Sequence, residues 1–310
     1  MTQHIRISEV GLRDGLQSID RVMSTEAKKA WILAEVAAGV TEMEVGSFVP
    51  PSLLPQMADT AEIVAFAKTV PGLAVVALVP NLKGAERAIA AGVDKMSIPF
   101  SMSETHSLKN VRKNHAEMLE QIAAIARLVA AQPEGQRPQF EVGLSTAFGC
   151  TMEGPVPEDQ VVRLAEQTIA AGVAEVCLSD TTGYANPAQV RRLVRAVKAA
   201  VGADRLNTLH LHNTRGLGLA NVLAGLEEGI TTFDSSMGGI GGCPFAPGAS
   251  GNIVTEDLVF MLEAMGLHTG IDIAGLIEVR RIIAEALPGE PLYGFIPDAG
   301  VTLGFERVVG

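Results

Sequence analysis

A-A-G-V-T-E-M-E-V at residues 37–45 decides the fold, because the chain writes the same phrase again as A-A-G-V-D-K-M-S-I at 90–98, A-A-G-V-A-E-V-C-L at 170–178 and, more loosely, E-E-G-I-T-T-F-D-S at 227–235. Each copy reads as the end of a helix, a glycine suited to the left-handed turn that closes it, and a short apolar run of the kind that forms a strand enclosed on both faces. Working outward, eight strands follow: I-R-I-S-E-V, E-M-E-V-G, A-V-V-A-L-V, K-M-S-I-P, Q-F-E-V-G-L, E-V-C-L-S, L-N-T-L-H-L-H and T-F-D-S-S. Helical patterns over 24–38, 114–131, 158–171 and 187–200 lie between them, the third opening on an acidic first turn. Eight βα units in roughly 240 residues predict an α/β fold of the (β/α)8 TIM-barrel type. An open doubly wound sheet is the competing reading. It would carry a Gly-rich phosphate turn after its first strand, where this chain has L-R-D-G-L-Q. Residues 1–265 are expected to form the barrel, with a Gly-rich lid loop after strand eight, and 266–310 a C-terminal helical extension packed on it.

The polar residues gather at one end of this scheme. Arg13 and Asp14 follow strand one, Glu44 and Ser47 end strand two, Asp180 ends strand six, His210 and His212 end strand seven, and Cys243 follows strand eight. Strand C-termini share one rim of a barrel, the face on which active sites are built. The most specific local signal is T-L-H-L-H-N, since alternate residues of a strand point the same way and an H-x-H aims two imidazoles at one spot. A metal held by Asp14, His210, His212 and Asn252 would have mixed oxygen and nitrogen ligands, which suits Mg²⁺ or Mn²⁺ better than a closed thiolate zinc site. Beside it, Arg13 is placed to stabilise an enolate oxygen and the Cys243 thiol to protonate a carbanion. The bland readings are helix capping or backbone-amide binding for Asp14 or Asp180 and an interior ion pair with Arg13 for Glu44. Cys150 and Cys177 read as small buried hydrophobes.

Composition narrows the class. Among 310 residues 47% are apolar and 19% charged, with 32 glycines, a balance that excludes a disordered chain. The net charge of −11 argues against a nucleic-acid partner. Three cysteines form neither a disulfide framework nor a structural zinc pattern. The N-terminus enters a strand pattern at once, with no apolar leader, and no apolar run is long enough for a membrane. A soluble cytoplasmic protein is expected.

Taken together, E-V-G-L-R-D-G-L-Q at 9–17, E-V-G-S-F-V-P-P with P-Q-M-A-D, V-P-N-L-K-G, L-H-L-H-N-T and G-G-C-P-F-A-P-G-A-S-G-N-I-V-T-E-D-L-V-F-M-L resemble the hydroxymethylglutaryl-CoA lyase family over about residues 5–270. The resemblance implies a barrel homodimer or higher homo-oligomer. It would cleave an acyl-CoA, 3-hydroxy-3-methylglutaryl-CoA, into acetyl-CoA and acetoacetate with Mg²⁺ or Mn²⁺. It assigns Asp14, His210, His212 and Asn252 to the metal, with Arg13, Glu44, Cys243 and His210 in catalysis. Gln17, Ser47, Gly143, Asp180 and Arg215 would meet the substrate. Four positions depart from the family pattern: Asn213, Arg215 and Leu217 after the H-x-H, and Gly143 where the strand-five motif usually has tyrosine. Those departures open a second reading, a lyase for a related 3-hydroxy-acyl-CoA with a larger or more polar C3 substituent, Arg215 pairing an added carboxylate. A condensing enzyme of the isopropylmalate or homocitrate synthase type is disfavoured by Cys243 in G-G-C-P, and a catalytically silent scaffold by the joint presence of Arg13, Asp14, both histidines and Cys243.

Overall fold

The computed structural model describes residues 3–241 and 251–306. Eight strands, β1 (Arg6–Glu9), β2 (Glu42–Ser47), β3 (Ala74–Leu78), β4 (Lys95–Ser101), β5 (Gln139–Ser145), β6 (Glu175–Asp180), β7 (Thr208–Leu211) and β8 (Thr232–Ser235), pair in chain order, all parallel, and β8 closes on β1. Around them run α1 (Thr25–Ala37), α2 (Thr60–Ala67), α3 (Leu82–Ala91), α4 (Glu104–Val111), α5 (His115–Ala130), α6 (Glu158–Ala170), α7 (Pro187–Val201) and α8 (Gly218–Glu227). They are followed by α9 (Thr255–Ala264), α10 (Ile273–Ala286) and the short α11 (Ile296–Ala299). The repeat means what its sequence suggested: Gly39, Gly92, Gly172 and Gly229 all take positive φ where a helix hands over to a strand. At Gly39 a β-carbon would also lie 2.4 Å from the Gly270 carbonyl oxygen.

Outward strand residues such as Met43, Val75, Ile98, Val142, Leu178, Leu209 and Phe233 are fully buried under the helices. Helix α7 answers with Val190, Leu193, Val194 and Val197 at helical spacing, each side chain contributing roughly 1.5–3 kcal/mol on burial. Its start is fixed by Asn186, whose side chain accepts from the Gln189 amide, and by Pro187 in the first turn. Many inward residues are polar. Near the N-terminal mouth, Arg6 pairs with Glu42 at 3.5 Å and Lys95 with Glu141 at 3.2 Å. These ion pairs occupy the end of the barrel opposite the C-terminal rim. Helix α10 packs on α1 and α9, and Arg280 donates to Glu256 at 3.0 Å and to the Leu292 and Tyr293 carbonyls at 2.9 and 2.7 Å. Among the described residues no helix is long and apolar enough to cross a membrane. Of the predicted lid, residues 242–250, Cys243 included, lie outside the described residues.

Candidate active site and metal centre

Directly after β1 the chain makes one wide helical turn, Gly11–Gly15, in which the Arg13, Asp14 and Gly15 amides all point at the Val10 carbonyl. Glycine at 11 is required by packing, since a β-carbon would sit 2.6 Å from Glu9 Oε1 and 2.8 Å from the Trp31 ring. Glu9 anchors the turn from below. Its Oε1 accepts from the amides of Gly11 and Met237 at 2.8 and 3.0 Å, and its Oε2 from the Thr255 hydroxyl at 2.5 Å. Complete burial foremost pushes the Glu9 carboxyl up to about 8. One buried acid thus ties the Arg13–Asp14 turn to the segments on either side of the Gly-rich loop.

The turn delivers Arg13 and Asp14 into the barrel mouth. Arg13 Nε donates to Glu44 Oε2 and its Nη1 to Asp14 Oδ1 at 2.6 Å, while Ser97 donates to Glu44 Oε1 at 2.6 Å. Gln17 Nε2 donates to Asp14 Oδ1 at 2.8 Å, and Asn252 Nδ2 to Asp14 Oδ2 at 2.7 Å. Burial pushes the Asp14 carboxyl up, but the Arg13 guanidinium and the two imidazoles outweigh it and hold the acid well below the usual carboxylate range. For Arg13 burial likewise opposes charge, and Glu44 and Asp14 reverse it, so the guanidinium is fixed as a cation.

Both histidines come from the end of β7. His212 and Asn252 face each other in an isolated antiparallel bridge, with Ile253 N on the Leu211 carbonyl at 3.1 Å, which is how a residue forty positions downstream reaches the H-x-H. The two Nε2 atoms are 3.1 Å apart, and each is 3.8 Å from Asp14 Oδ2. Neighbouring ligands of an octahedral ion with bonds of 2.0–2.1 Å are about 3 Å apart, so the imidazole pair fits adjacent positions of one coordination shell. Among the described residues the buried Asn252 Oδ1 has no hydrogen-bond partner, and it is the kind of atom a hard cation takes. Asp14, His210 and His212 can therefore hold a divalent ion, and Asn252 lies beside them, bonded to Asp14 and bridged to His212.

The remaining predicted residues sort by contact. Asp180 spends both oxygens on the Tyr184 and Ala185 amides at 2.8 and 3.2 Å, so it binds loop amides rather than capping α7, whose cap is Asn186, while burial raises its carboxyl to about 6. Arg215 is exposed, lies over the Tyr184 ring at 4.5 Å and donates to the Thr182 and Gly183 carbonyls. Ser47 is buried, its backbone pinned to the Thr60 hydroxyl and its own hydroxyl accepting from Val49 N. Gly143 faces the barrel interior across from the cluster. Sequence reasoning missed Asp234, whose Oδ2 is 3.0 Å from His210 Nδ1 and directs Nε2 of that ring toward the cluster. The available signal was its alternation with Thr232 in T-F-D-S-S, which sets it inward; that it meets His210 depends on the β7–β8 register. Glu9 and Ser97 were missed for the same reason: their roles are lateral contacts.

Comparison with known proteins agrees with this geometry. The family model described as HMGL-like matches residues 4–283. A hydroxymethylglutaryl-CoA lyase of Bacillus subtilis is 40% identical over 93% of this chain and 94% of its own length. A 3-hydroxy-3-isohexenylglutaryl-CoA/hydroxymethylglutaryl-CoA lyase of Pseudomonas aeruginosa is 38% identical over 93% and 94%. Among solved structures, an HMG-CoA lyase from Acinetobacter baumannii in complex with coenzyme A and 3-methylmalate superposes with a TM-score of 0.90 at 39% identity, covering 99% of this chain and 98% of that one. On the strength of the barrel, the Asp14–His210–His212 cluster and these matches, the chain belongs to the HMGL-like family of carbon–carbon lyases.

Proposed function

We propose that this enzyme cleaves 3-hydroxy-3-methylglutaryl-CoA to acetyl-CoA and acetoacetate with Mg²⁺ or Mn²⁺ bound by Asp14, His210, His212 and Asn252. The observation that carries the reading is the convergence of Asp14 and both imidazoles within 4.8 Å of one another, beside a buried guanidinium. When bound there, the ion would supply Lewis acidity toward the substrate's oxygens. The protein's own groups do the rest. Arg13, held by Glu44 and Asp14, presents fixed positive charge to the thioester oxygen, where negative charge grows as the C2–C3 bond breaks and its electron pair passes into an enolate. The hydroxyl proton is released as the C3 oxygen becomes a carbonyl, and C2 takes up one proton, so no redox partner is needed. Cys243 is assigned as the donor of that proton, its position in G-G-C-P two residues past Gly241 supporting the role. Gln17 and Asn252 steady Asp14, and Asp180 shapes the loop after β6 that borders the site.

Family membership supports a homodimer, and the free Cys150 and Cys177 suit a reducing cytoplasm. Light scattering of the purified protein tests the first. For the reaction, the test is to incubate the chelator-treated protein with 3-hydroxy-3-methylglutaryl-CoA, add back Mg²⁺ or Mn²⁺, and identify products by mass spectrometry. Acetyl-CoA and acetoacetate are expected only with metal, and no cleavage under any metal would overturn the reading.

A further inference from the structure

The wall facing the metal cluster bears on which thioester the proposed lyase accepts, an inference that rests on the reading above. In a closed eight-stranded barrel β5 lies across from β1, so Gly143 of β5 stands opposite the turn that carries Arg13 and Asp14. Along β5, Val142 and Leu144 are fully buried while Gly143 and Ser145 are half-buried; on β4, Ser97 and Pro99 are half-buried between fully buried Met96, Ile98 and Phe100. The inward positions on this side face open space.

Nothing among the described residues requires glycine at 143. Its φ lies outside the left-handed region, and a β-carbon there would meet only Ser179 Oγ at 3.6 Å and the Ile98 carbonyl oxygen at 3.9 Å, both ordinary contacts. Gly46 and Gly225 differ, for a β-carbon at either would press to 2.6 Å against Thr60 or Leu209. Glycine inside a strand loses backbone entropy and offers nothing to pack, so an unforced one facing a hollow marks where a ligand comes close. Ser179, which borders the space, is the register partner of His210, so the hollow adjoins the imidazole cluster. Among the described residues Leu78, Pro99, Ser145 and Ser179 border it without charge, and the Cys177 thiol is held protonated, by burial first; the nearest charges there, Lys95 and Glu141, are paired with each other at 3.2 Å. Arg215 brings no charge to it, being exposed and engaged with Tyr184.

We propose that Gly143 is a specificity-determining position, and that this enzyme accepts 3-hydroxyglutaryl thioesters whose C3 carries a neutral alkyl chain longer than methyl. The C3 hydroxyl and the carboxylate arm are drawn to the metal cluster and the thioester arm to Arg13, so the fourth substituent of this tetrahedral carbon points at the opposite wall. The reaction is unchanged: the C2–C3 bond breaks, C2 takes one proton, and the products are an acetyl thioester and a 3-oxo acid longer by the added carbons. Each methylene buried against that wall is worth about fourfold in affinity.

The experiment compares wild type, Gly143→Ala and Gly143→Val, each shown folded by thermal unfolding, in the presence of Mn²⁺. Calorimetry gives Kd for 3-methylglutaryl-CoA and 3-butylglutaryl-CoA, which lack the hydroxyl and are not cleaved, and kcat/KM is measured for the matching 3-hydroxy thioesters. The wild type is expected to bind the butyl probe at least as tightly as the methyl one. The butyl-to-methyl Kd ratio is expected to rise at least tenfold in Gly143→Val, with Gly143→Ala between. A tenfold wild-type preference for methyl, or a ratio that does not move across the variants, overturns the proposal. Failure of the wild type to cleave any of the 3-hydroxy thioesters instead overturns the lyase reading, and it is read from product rather than from Kd.

Discussion

Replacing Asp234 isolates the one contact that aims a histidine at the metal centre. Its Oδ2 lies 3.0 Å from His210 Nδ1, so the proton sits on Nδ1 and the Nε2 lone pair is left for the ion. Two effects follow from removing it. The carboxylate is about 7 Å from an ion bound to Nε2, and at an effective dielectric between about 20 and 80 a unit charge attracts a divalent ion across that gap by roughly 1–5 kcal/mol. Loss of an outer partner of a metal-bound histidine weakens binding by about 10–100-fold, or roughly 1.4–2.7 kcal/mol, which lies inside that range. Asp234→Asn keeps an acceptor for Nδ1 and removes the charge; Asp234→Ala removes both. Mn²⁺ binding followed by the loss of the free-ion paramagnetic resonance signal is expected to weaken by about tenfold in the first variant and nearer a hundredfold in the second. A Kd for Mn²⁺ within twofold of wild type in a folded Asp234→Ala protein would refute the argument, because Asp234 would then neither orient His210 nor contribute charge to the site.

Arg13→Met is expected to lower kcat by on the order of 10²-fold with a smaller change in KM, since the guanidinium serves charge that exists only as the bond breaks; steady-state kinetics showing a change in KM alone would make it a substrate-binding group. His212→Ala should abolish Mn²⁺ binding at stoichiometric concentrations in the same resonance assay, and retention of one tight site would exclude the H-x-H as ligands. Glu9, whose carboxyl burial pushes up to about 8 from an ordinary 4.5, favours the folded state most below pH 4.5, and that contribution is lost as pH rises toward 8, with Glu35 and Glu256 facing it as further buried acids. Glu9→Gln, which cannot ionise, should therefore gain on wild type by more than about 1.4 kcal/mol between pH 5 and 8 in denaturant titrations, whereas parallel stability curves would show that Glu9 does not titrate there.

The sequence by itself determined the barrel and its working end. Helix end, glycine and apolar strand are short-range features, written in residues that are neighbours along the chain, and four copies of them suffice to count βα units and to set Arg13, Asp14, Glu44, His210 and His212 on one rim. Tertiary structure decided how those residues are aimed. The partnership of Asp234 with His210 depends on the register of β7 against β8, and Asn252 reaches Asp14 only because its segment folds back to bridge His212. Glu9 looked like the first letter of a motif, yet its work is done on Met237 and Thr255, more than two hundred residues away. Asp180 and Arg215 fell on the right rim, but their polar atoms are satisfied by the loop after β6, a competition between backbone and ligand that spacing along a strand does not resolve. The meaning of Gly143 was likewise invisible in one dimension. A glycine forced by a clash and one left open for a ligand are spelled the same way, and only the 3.6 Å of ordinary space to Ser179 tells them apart.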